Sequence, residues 1–213
     1  MRMSHAEREY FLTVATAGTR YLEYGSGGST KLAVQLSNLR HIVSVESDPN
    51  YISNHVRDDD VVRGAEADGR LRFLIIDIGS TGEWGHPRDE SKKYLWPNYA
   101  LAPYLAGERP DTILIDGRFR VACGLVAALE VPAARVLVHD YTDRRQYHLL
   151  EEFFTVVRRV DTLVELARKQ IFDAGRAQAL LKKYLYAPAD APQTLTLRAR
   201  SRARVLRQRL LHL

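Results

Sequence analysis

"YLEYGSGGSTKL", residues 21–32, runs an apolar strand-like stretch into three glycines and then into a helical pattern. A chain makes such a turn to bring backbone N–H groups close to a ligand. Strand-like runs recur at RYLEY (20–24), HIVSVES (41–47), RFLIID (72–77), DTILID (111–116) and RVLVHD (135–140). Helical stretches lie between them at 28–38, 49–57, 94–106 and 119–130. Short apolar runs alternating with helices predict an α/β fold: a doubly wound, mostly parallel sheet with helices on both faces.

The flanks complete the pattern. SHAEREYFLTVATAG (4–18) carries Ser4 and, three residues on, Glu7, a capping box that predicts an opening helix. RQYHLLEEFFTVV (145–157) reads as a further helix. RRVDTLVELA (158–167) and KQIFDA (169–174) read as a closing pair of strands, and RAQALLKKYL (176–185) as the last helix. Pro188 and Pro192 mark the end of the body, so one domain is expected over residues 1–193.

Beyond it, residues 194–213 hold Arg198, Arg200, Arg202, Arg204, Arg207 and Arg209 and no acid. These six cations exceed the net charge of +5, so residues 1–193 sum to −1. Leucines interleave with the arginines. The segment suits a basic amphipathic helix or tail on a nucleic acid or another anionic surface, or a solubilising end. The single cysteine, Cys123, cannot form an internal disulfide and sits in an apolar helical pattern, so a buried structural thiol is expected. No secretory leader and no membrane-length apolar run is read, and the expected location is the cytoplasm.

Ligands of such sheets bind outside the carboxyl ends of the strands. Five consecutive strands finish on an acid: Glu23, Glu46, Asp77, Asp116 and, after His139, Asp140. One such acid is an ordinary cap or turn residue, but five at one rim repel unless a ligand or cation uses them. The glycine turn is not a dinucleotide fingerprint, because Thr30 stands where the third glycine belongs. Nor is it a phosphate loop, because the order is Ser29-Thr30-Lys31. Glu23 beside the turn would repel a pyrophosphate and attract a sulfonium or ammonium. Glu46, 21 residues after Gly25, suits two ribose hydroxyls. Together they describe S-adenosylmethionine.

With these residues in view, LEYGSGGST and VSVESD resemble the first two motifs of the class I S-adenosylmethionine-dependent methyltransferases, over most of residues 15–170. The resemblance implies that Glu23, Gly25, Ser26 and Gly27 hold the methionine end and Glu46 with Ser47 the ribose. Asp77 and Ile78 would flank the adenine, with Asp116 also near the cofactor. LIDGRF and VLVHDY look like the small-molecule O-methyltransferase branch, where acids after the fourth and fifth strands bind a divalent metal or the acceptor. Here Asp116 and Asp140 would hold Mg²⁺, although Tyr141 stands where that branch has an amide or acid.

Asp116, His139 and Asp140 are the catalytic candidates, with His139 equally readable as a hydrogen-bonded core residue. Two neighbouring ionised acids need a cation between them: a metal, a protonated His139 or Arg118. Arg118 and Arg120 fit either an acidic acceptor or pairing with those carboxylates. The long connection 78–110 carries both tryptophans and His86. Trp96 and Tyr99 are expected to pack a helix onto the sheet, while Trp84 and His86 suit a wall of the acceptor pocket. Two other functions use the same sheet: a nicotinamide-dependent oxidoreductase, which Glu23 and the missing glycine disfavour, and a non-catalytic scaffold acting through its tail.

Overall fold

The computed structural model describes residues 3–189. The Arg-rich segment 194–213 and Pro192 lie outside the described residues. Seven strands, β1 (Arg20–Tyr24), β2 (His41–Glu46), β3 (Leu71–Ile75), β4 (Thr112–Ile115), β5 (Arg135–Val138), β6 (Phe154–Val160) and β7 (Leu163–Arg168), form one sheet. Its order is β3-β2-β1-β4-β5-β7-β6. All neighbours from β3 to β5 run parallel, while β7 is antiparallel to both β5 and β6. The helices are α1 (His5–Ala15), α2 (Gly28–Ala33), α3 (Pro49–His55), α4 (Asp60–Ala67), α5 (Pro97–Leu105), α6 (Arg120–Glu130) and α7 (Ala174–Tyr184). This is the doubly wound, mostly parallel sheet with helices on both faces that the alternation predicts. Among the described residues, no helix is long and apolar enough to cross a membrane.

Alternation along the strands divides the core between the two faces. Leu22, Tyr24, Ile113 and Ile115 join α5, α6 and α7 in one apolar cluster. Tyr21, Ile42 and Leu114 join α1, α2 and α4 in the other. Such central parallel strands are buried on both faces and read as continuous apolar runs. α6 is apolar almost all round because nearly all of it is buried, Cys123 included.

Three readings of the sequence are corrected. Residues 145–157 are not a helix: a 3₁₀ segment, Arg145–Glu152, gives way to β6. There Phe154, Thr155, Val156 and Val157 favour an extended chain. The closing strands are β6 and β7, not 158–167 and 169–174, because Asp161 at φ 47° turns the chain within the first of those runs. Helix α4 is additional: Asp59 accepts from the Val61 and Val62 N–H groups and starts it.

The edge of the sheet remote from the strand carboxyl ends has its own clamp. Glu108, nearly buried, accepts from Arg20 (3.2 Å), His41 (2.7 Å) and Arg72 (2.6 Å), which enter from β1, β2 and β3. Glu108→Ala is expected to cost about 1–3 kcal/mol, below the full cost of breaking a buried pair, because the three partner side chains are exposed enough to hydrate once released. Urea unfolding measures the loss. A wild-type midpoint would remove Glu108 from the clamp.

Candidate active site

Between β1 and β4 the chain reverses direction across the sheet, the switch point where open α/β sheets bind ligands. A cavity of about 860 Å³ opens there, beyond the carboxyl ends of the strands. The turn Gly25-Ser26-Gly27 forms one wall, and Glu46 with Ser47 another. Gly25 holds φ 92° and packs its backbone on that of Gly117, the residue after Asp116.

Glu46 is positioned by its own loop. One carboxylate oxygen accepts from Ser26 N–H at 3.2 Å, and the other from Ser47 N–H at 2.6 Å and Asp48 N–H at 3.2 Å. It thereby joins the end of β2 to the glycine turn. Glu23 lies elsewhere than the resemblance implies: it is fully buried beneath the turn and does not line the cavity. Its carboxylate accepts from Thr30 and, at 2.7 Å, from Ser44, while Thr30 accepts from Gly27 N–H at 2.8 Å. Burial pushes the Glu23 carboxyl up despite these hydrogen bonds. Glu23 thus acts on the turn from below.

Asp77 and Ile78 also fall outside the cavity wall. Asp77 is exposed and paired with Lys92, and Ile78 is fully buried in the core. The segment that follows covers the cavity instead. A Thr81–Pro87 bridge closes a loop that brings Thr81, Gly82, Trp84 and Gly85 onto the wall. Trp84 adopts φ 57° and is 64% exposed, so it is a rim residue. Trp96 and Tyr99 pack as expected. Trp96 is buried and donates its indole N–H to the Ile78 carbonyl at 2.9 Å. Tyr99 is buried as well, and its ring also reaches the cavity wall.

At the other end, Asp116, His139 and Asp140 come together, their nearest ligating atoms within 4.8 Å of one another. His139 Nδ1 is 3.0 Å from Asp116 Oδ1. Its Nε2 faces the buried Glu7 Oε2 at 3.5 Å. Glu7 is the capping-box acid, and it also accepts from Thr162 N–H (2.8 Å) and Leu163 N–H (3.0 Å) on the β6–β7 turn. Burial opposes a charge on His139, but the bond to Asp116 and the charges of Asp116, Asp140 and Glu7 hold it above the usual histidine range. Burial likewise opposes ionisation of Asp116. His139 and the charges of Arg120 and Arg118 outweigh it and hold Asp116 below the usual carboxylate range.

The cation between the two acids is Arg120, in the pairing with carboxylates that was one of the two roles the sequence left open for it. Its Nη2 is 3.2 Å from Asp116 Oδ1 and 3.2 Å from Asp140 Oδ2. Phe119, at φ 54°, turns the chain into α6 so that Arg120 opens the helix. The fit for Mg²⁺ is therefore poor: a dication here would share the two carboxylates with a buried guanidinium. Arg144, which the sequence reading missed, reaches Asp140 Oδ2 at 3.0 Å. Arg118 Nη1 is 2.6 Å from His86 Nε2. A guanidinium only donates, so Nε2 accepts and the neutral imidazole carries its proton on Nδ1. Burial, then the charges of Arg118 and Arg144, push His86 below the usual histidine range.

No family model and no curated protein matches the chain. Among solved structures, a methyltransferase-like protein from Silicibacter pomeroyi DSS-3 is 31% identical. The match covers 88% of this chain and 97% of that one, with a TM-score of 0.75. The N-methyltransferase NodS from Bradyrhizobium japonicum WM9, in complex with S-adenosyl-L-homocysteine, is 14% identical over 79% of this chain and 90% of that one, with a TM-score of 0.49. The fold and the cavity at its switch point are those of a ligand-binding, doubly wound α/β protein. The identity and coverage of the first match are those of a relative, and the chain belongs to that methyltransferase-like family.

Proposed function

We propose that the protein is an S-adenosylmethionine-dependent methyltransferase acting on an oxygen of a small-molecule or saccharide acceptor. The observation that carries this reading is the meeting of the glycine turn and the Glu46 carboxylate in one cavity at the sheet's switch point. The residues fit an adenosyl ligand: the cavity has nucleoside dimensions, the turn presents backbone, and Glu46 is an acceptor for a diol. Gly25, Ser26, Gly27, Glu46 and Ser47 hold the cofactor, and Glu23 keeps the turn in shape through Thr30 and Ser44. The Thr81–Gly85 segment covers the adenine end, in the role first given to Asp77 and Ile78. When bound, the cofactor supplies an electrophilic methyl group on a sulfonium.

At the reacting end, Asp116 accepts a hydrogen bond from the acceptor hydroxyl, orients its oxygen and takes its proton as the methyl group leaves the sulfonium. His139 and Arg120 hold Asp116 ionised and fixed, and Asp140 anchors Arg120 and Arg144. His86, which does not line the cavity, backs Arg118 at this end. No metal takes part in this scheme. A cytoplasmic location and a nucleic acid or other anionic partner for residues 194–213 are assigned from the sequence.

Calorimetric titration with S-adenosylhomocysteine, with NAD as control, tests the reading. Glu46→Ala is expected to weaken S-adenosylhomocysteine binding by ~1–3 kcal/mol, the worth of hydrogen bonds to a charged group. Unchanged affinity in a folded variant removes Glu46 from the site. NAD binding in preference to S-adenosylhomocysteine replaces the methyltransferase with an oxidoreductase.

A further inference from the structure

Arginines arrive at the reacting end of the cavity from two loops that the fold brings together. Arg118 follows β4, and Arg144 lies in the connection after β5. Arg144 is already paired with Asp140 at 3.0 Å, and Arg120 lines the same end with its guanidinium committed. It bridges Asp116 and Asp140 and donates to the carbonyls of Gly117 (3.0 Å), Asp116 (3.2 Å) and His139. Three guanidiniums thus share this end with two carboxylates, and the His139 charge is faced from below by Glu7. The residue that meets Arg118 from the covering loop, His86, brings a lone pair and no negative charge.

We infer that the acceptor carries a carboxylate or phosphate group, which Arg118 and Arg144 hold at the mouth of the reacting end. The inference rests on the methyltransferase reading for the word acceptor; the anion site itself rests on the arginines. Arginine's planar fork suits bidentate binding of carboxylate and phosphate oxygens. Arg118 is 7% exposed yet lines the cavity, so an anion that enters meets a guanidinium whose attraction is little screened by water. The imidazole of His86 responds to the same field, since the charges of Arg118 and Arg144 help to keep it neutral. An ammonium-bearing acceptor would enter against that field, and a neutral one would gain nothing from it.

The test titrates the full chain with inorganic phosphate and with benzoate, at constant ionic strength, with and without saturating S-adenosylhomocysteine. Benzamide and benzylamine are the neutral and cationic controls. The anions are expected to bind and the controls to bind at least tenfold more weakly. Arg144→Gln, at a half-exposed position, and Arg118→Gln are each expected to lower anion affinity about tenfold, with Arg118→Lys and Arg144→Lys retaining more of it. Circular dichroism of each variant reports its fold. Anion affinity equal to that of benzamide, or Gln variants that bind anions as the wild type does, would overturn the inference. Absence of S-adenosylhomocysteine binding would remove the methyltransferase reading, while the titrations on the cofactor-free protein would still decide the arginine site.

Discussion

Gly25→Ala is expected to cost about 2–5 kcal/mol of stability and to weaken S-adenosylhomocysteine binding at least tenfold. Two separate effects combine. Gly25 sits at φ 92°, where an L side chain is disfavoured by roughly 1–2 kcal/mol. A methyl group there would also lie 2.8 Å from both Cα and N of Gly117 and 3.0 Å from the Asp116 carbonyl carbon. All three are backbone atoms, so no rotamer change relieves the clash, and overpacking of this kind costs about 1–3 kcal/mol. The relief available is to separate the β1 and β4 loops, which would move the glycine turn and Asp116 apart and open the cavity. For a chain of this size the melting temperature should fall by roughly 10 °C. Gly64→Ala is the control: it lies within α4, its added Cβ meets nothing within 4 Å, and it should stabilise by ~0.5–1 kcal/mol. Thermal unfolding and calorimetry read both variants. If Gly25→Ala melts with the wild type, the close approach of the two loops is not what shapes the turn.

What could be read from the sequence depended on how local the signal was. The first five strands, the opening helix with its Ser4–Glu7 box and the burial of Cys123 were legible because apolar runs and caps are written within a few residues. The β6–β7 hairpin was not, because its turn is Asp161-Thr162 and lacks the glycine that usually marks a tight reversal. The position of the cavity was legible from the strand ends, yet the direction of each side chain was not. Glu23 and Glu46 look alike in sequence, each an acid closing a strand. In the fold, Glu23 points beneath the turn to Thr30 and Ser44, and Glu46 stands in the wall. Likewise, Arg118 and Arg120 are two residues apart, and only the left-handed conformation at Phe119 sends Arg120 to the acids. The contact of Glu7 with His139 joins the first helix to the end of the fifth strand and leaves no trace in local pattern. Arg144 escaped notice for the same reason: nothing beside it in the chain announces its pairing with Asp140.

Arg120→Ala should be the most costly single truncation at the reacting end, and it should create a metal site where the wild type has none. The guanidinium is 2% exposed and lies 5.4 Å from the Tyr147 ring centroid. Its removal leaves Asp116 and Asp140 without the bridging charge and takes a donor from three carbonyls. Breaking a buried pair in this way costs ~3–5 kcal/mol. Arg120→Lys should fall between, because a compact ammonium cannot span both carboxylates and the carbonyls as a planar fork does. The truncation also vacates the space between two carboxylates and an imidazole whose ligating atoms already lie within 4.8 Å. Such an O,N donor set suits Mn²⁺. Ligand that binds only the folded state raises stability by about 2.7 kcal/mol at a hundredfold excess over Kd, so Mn²⁺ should recover much of the loss in Arg120→Ala. Melting curves of wild type and variant, each with EDTA and with Mn²⁺, read the result. The wild type should be indifferent to both, since Arg120 already supplies the positive charge. A wild-type melting temperature that rises with Mn²⁺ as much as the variant's would mean that the metal, and not the guanidinium, is the cation this pair of carboxylates was built to hold.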